Sequence, residues 1–556
     1  MIPMSATSAT PDRADARAVS AATAPSEPTT YDLIPYDSHP FAQSQPARLA
    51  AVATLFGLDA PDIRTARVLE LGCAAGGNLI PFAANWPDAR CVGVDLSARQ
   101  IADGQAIVAE LGLSNCDLRH ASITDIDTDW GQFDYIVCHG VWSWVPEAVR
   151  AHILKVCHDN LSEHGVAYVS YNTYPGWHMR GAIRDLMRWH AGGLADPQQK
   201  AQQARAVLQF LCDSTPPEGD AYGLMLRNEA RLLAQQGDYY LLHDHLEDVN
   251  HPVYVHEFFA QCVAHGLEYL AEAEVQTMLP NGLPQATVDT LRRIAPDIVR
   301  MEQYLDFLRN RAFRQTLLVR QGRTINRNLS PASLASLAVV SAAQPEGVVD
   351  PKVQGNAQFA LANGVKIGAV NPITKAALLE LAECFPQPTP FDALVDAARV
   401  RLLHSAVERP SAEHRAIEAN VLGGDLLQLY LAGAIELWPQ VRFPLPTHIP
   451  PQPIAYALAR AQARRIADGA AGVVTSVRHE IVALDPLSVR VLALLDGTRD
   501  RPALLDALDP LFAAGKLTLN RDGKPVTDPI LRRGMLVTHL DDTLHRLRRF
   551  GLLVES

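Results

Sequence analysis

At 556 residues the chain is too long for one ordinary core, and roughly two to four domains are expected. With 48% hydrophobic and 20% charged residues it has the profile of a soluble globular protein, not of a disordered or fibrous one. The formal charge of −12 argues against a polyanion-binding protein, so no nucleic-acid partner is expected.

Residues 1–30 are rich in Ala, Ser, Thr and Pro, lack the apolar stretch of a signal peptide, and read as a disordered tail. No apolar run is long enough to cross a membrane, so no membrane insertion is expected. The eight cysteines form no C-x-x-C pair, which argues against zinc or a disulfide framework and for a reducing, cytoplasmic location. The segment Tyr31 to Phe41, with Tyr36 between them, is rich in aromatics and prolines without helical periodicity, and reads as a lid.

From about 45 to 177 helical and strand patterns alternate. The spacing predicts a helix over 46–58, with Leu49, Val52, Leu55 and Phe56 on one face. Short apolar runs predict strands over 67–71, 91–95, 117–120, 135–138 and 166–170, with helices over 76–85, 97–111 and 146–160 between them. Ser162-Glu163-His164-Gly165 reads as a connector. Residues 178–258 read as helical, and strand-like runs return at 267–276 and 316–319 to complete the sheet. Beyond 330 a weak repeat of three helices and a strand occurs twice, beginning at Asn371-Pro372 and at Asp485-Pro486. The predicted fold class is thus α/β: a doubly wound, Rossmann-like sheet with a helical insertion, followed by a mostly helical region of two winged-helix-like modules. The expected boundaries are 31–177 and 259–325 for the sheet domain, 178–258 for the insertion, and 330–445 and 470–556 for the modules. Winged helices invite a DNA-binding reading, but from Asp496 onward ten Lys/Arg are matched by nine Asp/Glu, which favours a protein-contacting or structural role.

The first strand runs into Glu70-Leu71-Gly72-Cys73-Ala74-Ala75-Gly76-Gly77-Asn78, the first βα turn of a doubly wound fold, where ligands sit. A dinucleotide site needs G-x-G-x-x-G and a pyrophosphate on the helix. Here Ala74 replaces the middle glycine, and the preceding Glu70 repels a pyrophosphate but attracts an ammonium. Asp95 ends the second strand, where a carboxylate accepts both hydroxyls of a ribose, with Leu96 beside it. Acids at both strand ends favour S-adenosylmethionine (AdoMet), with S-adenosylhomocysteine as product. Ser122 and Ile123, after the third strand, are placed to flank an adenine.

The fourth strand ends in Cys138-His139-Gly140-Val141-Trp142-Ser143-Trp144, and the fifth in Tyr171-Asn172-Thr173-Tyr174. This is not the Asp/Asn-Pro-Pro-aromatic signature of enzymes that methylate base amines. His139, Trp142, Trp144, Tyr171 and Asn172 are the candidate catalytic residues: an aromatic channel lowers an amine pKa by desolvation, and His139 could pass the proton to water. In the insertion, His243 and Glu247 stand four apart. Without a third ligand they read as a solvated helix face, and no metal site is expected.

Together Tyr31–Phe41, Glu70–Asn78, Gly93–Ser97, Cys138–Pro146, Ser170–Trp177, Tyr240–Phe259 and Tyr304–Arg311 with Arg314–Leu318 resemble the bacterial methyltransferases that carry a methyltransferase regulatory domain. Their best-known members are protein lysine methyltransferases that modify outer-membrane proteins of intracellular bacteria. The resemblance implies a class I methyltransferase sheet, AdoMet as cofactor, and a lysine of a surface protein as acceptor. It carries over Glu70, Gly72, Gly76, Asn78 and Asp95 as cofactor contacts, with Tyr31, Tyr36 and His139 nearby. A small-molecule or peptide acceptor, and a non-catalytic AdoMet-binding role, remain open on the residues alone, as does homo-oligomerisation.

Overall fold

The structure is a computed structural model and describes residues 38–216, 220–403, 411–521 and 524–555. The expected tail and the expected lid residues Tyr31 and Tyr36 lie outside the described residues. Seven strands form the central sheet: β1 (Arg67–Leu71), β2 (Arg90–Asp95), β3 (Cys116–His120), β4 (Phe133–Cys138), β5 (Leu161–Asn172), β6 (Leu267–Glu272) and β7 (Phe313–Arg320). Their order is β3-β2-β1-β4-β5-β7-β6. The first five pair in parallel, while β7 runs antiparallel to both β5 and β6. Val68, Leu69 and Leu71 on β1 are buried, as an inner parallel strand requires when both faces are covered. The strand order reverses between β1 and β4, so their carboxyl ends frame a crevice.

Helices α1 (Pro46–Leu55), α2 (Leu79–Asn85), α3 (Ala98–Leu111) and α4 (Glu147–Asp159) fall where the periodicity places them. Their ends follow local chemistry: the Ser97 hydroxyl accepts from the Gln100 N–H at the start of α3, and Gly112 closes it in the left-handed conformation. The expected connector Ser162–Gly165 is instead part of β5. Phe133 pairs with Leu161 and Tyr135 with Val166, so these four polar residues bulge out of the ladder without breaking the strand.

Between β5 and β6 the chain makes α5 (Gly176–Ala191), α6 (Pro197–Ser214) and α7 (Ala221–Ala234). These helices bury their own small core of Ile183, Met187, Ala204, Leu208, Leu226 and Leu233. A π-helical turn at Leu241–His245 follows. It corrects the solvated-face reading of this segment. His243 is 4% exposed and 4.0 Å from Glu247, and His245 bonds Glu229 at 3.0 Å. The wider π-turn brings both imidazoles inward. The next helix, α8 (Val255–Ala264), returns to the main core through Phe258, Phe259 and Cys262.

The antiparallel edge is locked by buried charge. Arg314 on β7 bonds Glu272 of β6 at 2.8 Å, and Glu302 and Asp306 of α9 (Ile298–Arg309) at 2.8 Å each. Arg311 adds a contact to Asp306 at 3.3 Å. Three carboxylates face two guanidiniums. Burial pushes Glu302 and Asp306 up, whereas at Glu272 the two arginines overcome burial and hold it down.

The C-terminal half repeats one plan. In the first module, strand Leu337–Val340 is followed by helices Pro372–Cys384, Phe391–Leu402 and Ala412–Leu431, and Glu436–Pro439 returns to pair with it. In the second, Ile454–Ala455 is followed by helices Ala457–Ala467, Pro486–Leu494, Arg501–Ala513 and Pro529–Arg549, and Leu553–Val554 returns to pair with it. Trp438, Phe443, Tyr456 and Leu458 join the same hydrophobic core as the central sheet. The Tyr456 hydroxyl donates to the Pro81 carbonyl at 3.1 Å, and Asn85 Nδ2 donates to the Val477 carbonyl at 2.7 Å.

Removing Arg314 leaves three buried carboxylates to Arg311 alone, at 3.3–4.0 Å. The substitution Arg314→Met is expected to destabilise the sheet domain by about 3–5 kcal/mol. Thermal unfolding checks this; an unchanged melting temperature would show that the cluster is not what holds β6 and β7.

Candidate functional site

β1 ends in Glu70 and Leu71, and the chain then turns through Gly72, Ala74 and Gly76, all left-handed at φ +73°, +49° and +72°. A β-carbon on Gly72 would lie 2.5 Å from Val141 Cγ2 at the end of β4, so only glycine allows the two strand ends to close up. Ala74 holds its conformation at a cost of about 1–2 kcal/mol. Its N–H donates to Asp95 Oδ2 at 2.9 Å, and Asp95 Oδ1 accepts from the Ser97 N–H at 2.8 Å. The Asp95 carboxylate is thus fixed across the crevice, where it can meet a vicinal diol. Leu96 beside it is 60% exposed, an apolar side chain that a bound ligand would cover.

Glu70 is 3% exposed. Its Oε1 accepts from Asn78 Nδ2 at 2.8 Å, and its Oε2 has no partner among the described residues. Burial pushes its pKa up to about 8, against the Asn78 bond and with the Asp95 charge adding to the rise. A buried carboxyl oxygen without a donor, at the head of a glycine loop, fits the ammonium of AdoMet. Asn78 is itself held by Phe41 N–H at 2.9 Å, Ser44 Oγ at 3.3 Å and His479 Nε2 at 2.8 Å, all on its Oδ1. Ser38 Oγ accepts from the Gly77 N–H at 2.8 Å. The stretch from Ser38 to Ser44 therefore packs directly on the loop.

After β3, Ser122 caps the short turn Ile123–Asp125. Its N–H donates to Asp125 Oδ2 at 2.9 Å, its Oγ accepts from the Thr124 N–H at 3.2 Å, and Ile123 is nearly buried. This turn follows β3, the neighbour of the strand that carries Asp95.

On the acceptor side the candidate residues separate. His139 follows β4 and is flanked by Phe41 at 3.8 Å and Phe313 at 6.0 Å between ring centroids; its Nδ1 shares a hydrogen bond of 2.8 Å with the Tyr168 hydroxyl. Burial, with a smaller contribution from His39, pushes its pKa down to about 3. The ring is neutral at ordinary pH and too weak a base to take a lysine proton. Trp144 is half-buried against Trp177, 6.0 Å away. Trp142 and Tyr171 are corrected: at 0% and 1% exposed they are core residues, packed on Phe258 at 5.2 and 3.9 Å, and line no opening. Trp142 starts a short helical turn that points it inward, and Tyr171 faces Thr316 of β7. Asn172 is also buried. Its amide donates to Asn250 Oδ1 at 2.9 Å and its N–H to Ser143 Oγ at 2.8 Å, so it ties β5 to the end of the insertion.

Exposed rings lie elsewhere. Phe313 opens β7 opposite Asn172, at the carboxyl end of β5. Tyr174 stacks on His178 at 4.1 Å and lies 5.2 Å from Tyr254, which is 5.7 Å from the half-exposed Phe307. Sequence reading did not assign Tyr168, Phe313, Tyr254 or His479 to the site. Phe313 and Tyr254 follow from no local pattern, and His479 stands 401 residues from its partner.

If Glu70 Oε2 receives an ammonium, Glu70 must ionise on binding. At pH 7, below a pKa of about 8, AdoMet binding is expected to release close to one proton. Affinity then rises with pH until about 8, as deprotonation becomes less costly. Calorimetry in buffers of different ionisation enthalpy measures this, and Glu70→Gln should abolish it; buffer-independent heat in the unmodified enzyme would refute the assignment. Trp142→Ala, by contrast, should cost about 3–5 kcal/mol of stability, read by thermal unfolding, as for a core tryptophan.

Comparison with known proteins places these features in a family. A methyltransferase domain model matches residues 68–165, a predicted methyltransferase regulatory domain matches 237–320, and the PKMT C-terminal winged helix domain matches 452–552. The regulatory-domain match takes in α8, β6 and β7, the second half of the sheet. An uncharacterized protein of Rickettsia prowazekii is 38% identical over 503 residues, 89% of this chain and 88% of that one. A second uncharacterized protein of the same organism is 40% identical over 229 residues, 41% of this chain and 92% of its own length. The structure of PKMT2 from Rickettsia typhi in complex with AdoHcy superposes with a TM-score of 0.83 at 31% identity, covering 93% of this chain and 100% of that one. The chain therefore belongs to the family of PKMT2 from Rickettsia typhi, AdoMet-dependent methyltransferases that join a class I sheet to a methyltransferase regulatory domain and a C-terminal winged helix.

Proposed function

We propose that this enzyme methylates the ε-amine of a lysine in a protein, that the acceptor is a surface protein of the bacterial outer membrane, and that the enzyme acts on it in the cytoplasm. The name PKMT attached to the matching winged helix and to the rickettsial neighbour supports a protein acceptor. In this reading Glu70 and Asn78 hold the cofactor's amino-acid end, Asp95 its ribose, and Ser122, Ile123 and Leu96 flank its base.

The observation that carries the acceptor class is the chemistry of the open side. Around the neutral His139 stand Phe41, at 3.8 Å, and the exposed Phe313; across the surface follow the half-buried Tyr174 and Tyr254 and the exposed Phe307, with the Glu257 carboxylate bonded to the Tyr254 N–H. Methyl transfer needs a neutral amine, against an ordinary lysine pKa of about 10.4. A wall of rings lowers that value by desolvation and accepts the cationic product over its faces. The amine nitrogen attacks the methyl carbon in line, the C–S bond breaks with its electron pair going to sulfur, and the nitrogen's proton leaves to water. With His139 held neutral and weakly basic, the site contributes alignment and water exclusion rather than a strong base.

Purified enzyme incubated with methyl-labelled AdoMet, recombinant outer-membrane proteins and a bacterial metabolite extract tests the reading. Acid hydrolysis should yield label in methyl-lysine. Label confined to small molecules, or to another protein residue, would overturn it.

A further inference from the structure

The AdoMet loop is completed from the far end of the chain. In the second C-terminal module, strands Val474–Thr475 and Ile481–Val482 pair antiparallel, and the turn between them places His479 against the loop after β1. His479 is fully buried and left-handed at φ +67°, a conformation that costs a β-carbon-bearing residue about 1–2 kcal/mol. The turn is braced to hold it there. Arg478, 3% exposed, bonds Glu436 at 2.7 Å and Glu480 at 2.9 Å, and Arg48 of α1 reaches Glu436 at 3.0 Å.

Hydrogen-bond accounting fixes what this histidine does. The Phe41 N–H can only donate, so the Asn78 atom it meets is the carbonyl oxygen Oδ1. His479 Nε2 lies 2.8 Å from the same oxygen and must carry the proton. The Asn78 NH₂ then has one direction left, toward Glu70 Oε1 at 2.8 Å. The chain of bonds is His479 Nε2–H to Asn78 Oδ1 and Asn78 Nδ2–H to Glu70 Oε1, and it leaves Glu70 Oε2 buried without a partner among the described residues. Donors on an amide oxygen polarise its N–H, so each strengthens the bond that stabilises an ionised Glu70.

We infer that the winged helix is a working part of the cofactor site, and that His479 is a positioning residue that acts through Asn78 to hold Glu70 for the AdoMet ammonium. The inference rests on the assignment of Glu70 to that ammonium. It makes AdoMet affinity depend on a domain with no other side chain on the loop among the described contacts, and couples cofactor binding to docking of the winged helix on α2.

A double-mutant cycle on the full chain, read as AdoMet and AdoHcy dissociation constants by calorimetry, tests it. His479→Met keeps the bulk and removes the donor; it should weaken AdoMet binding roughly tenfold, the loss of one buried hydrogen bond next to a charge. His479→Gln, which can place a donor where Nε2 lies, should recover affinity to within about threefold of the unmodified enzyme. In the Glu70→Gln background, His479→Met should change affinity by less than about twofold, because the group it acts on is gone. A tenfold loss that persists in that background, or a Gln variant no better than the Met variant, would reduce His479 to a packing residue and overturn the inference. Glu70→Gln without effect on AdoMet would instead refute the ammonium assignment itself. In an Asn78→Ala background His479→Met should likewise change affinity by less than about twofold, because the amide through which His479 acts is gone.

Discussion

A carboxyl group buried at the end of an inner strand, with one oxygen bonded and the other not, is the constraint around which this molecule is built. Glu70 is sealed by the sheet, yet its Oε2 has no donor among the described residues. Left ionised, such a group costs several kcal/mol, and the protein answers by keeping it protonated near neutrality. That state is stable only while a loop with three left-handed residues in five positions stays closed over it. The loop in turn is held by Asp95 from β2, by the Ser38–Ser44 stretch from the amino-terminal side and by His479 from the carboxyl-terminal module. Parts that are hundreds of residues apart converge on one unsatisfied atom.

The molecule contains a second buried charge cluster, and the contrast separates structure from function. At Arg314 the carboxylates of Glu272, Glu302 and Asp306 all have guanidinium partners, and Thr316 and the Gln315 N–H add donors to Glu272. The cluster clamps β6, β7 and α9, although Glu302 Oε1 has no partner among the described residues. At Glu70 the charge that acts on the carboxyl is another acid, Asp95, and no guanidinium or ammonium meets it among the described residues. Shifted titration occurs at both places, so shift alone does not mark a site. What separates Glu70 is its place, at the head of the glycine loop between the ends of β1 and β4 and with no guanidinium partner among the described residues.

Much of this was legible in the sequence, for reasons that differ along the chain. The parallel strands were visible because inner strands are apolar on both faces, and Glu70 and Asp95 stood out as acids where such strands end. The repeat after residue 330 was visible because Asn-Pro and Asp-Pro mark helix starts. The acceptor side was less readable. An aromatic after a strand end can turn either way: Trp142 and Tyr171 turned into the core against Phe258, while Trp144, two residues from Trp142, stayed near the surface. The face of a short turn depends on tertiary packing, which no periodicity encodes. The inward imidazoles at His243 and His245 were missed because a π-turn breaks the spacing that a helical wheel assumes. His479 carried no signal, since its partner is 401 residues away.

The two sides of the active centre are made from different material, and this bears on how specificity arises. The cofactor side is a closed network of backbone donors, carboxylates and one amide, in which each bond limits its neighbours. The other side is a set of rings: Tyr174 stacks on His178, Tyr254 lies tilted between Tyr174 and Phe307 with its hydroxyl on His178, and Phe313 stands at the start of β7 beside His139. If the acceptor is the proposed lysine, rings of this kind would cover its aliphatic stem without reading its neighbours. Discrimination among acceptors must then come from contacts farther out, and the elements that frame that face are the insertion helices and α9. They carry exposed apolar side chains, Met179 and Trp189 on α5, Tyr222 and Leu224 on α7, and Leu308 on α9. Cofactor chemistry and acceptor choice can therefore vary independently in this architecture: the first is tied to the sheet and the winged helix, the second to helices that keep a core of their own.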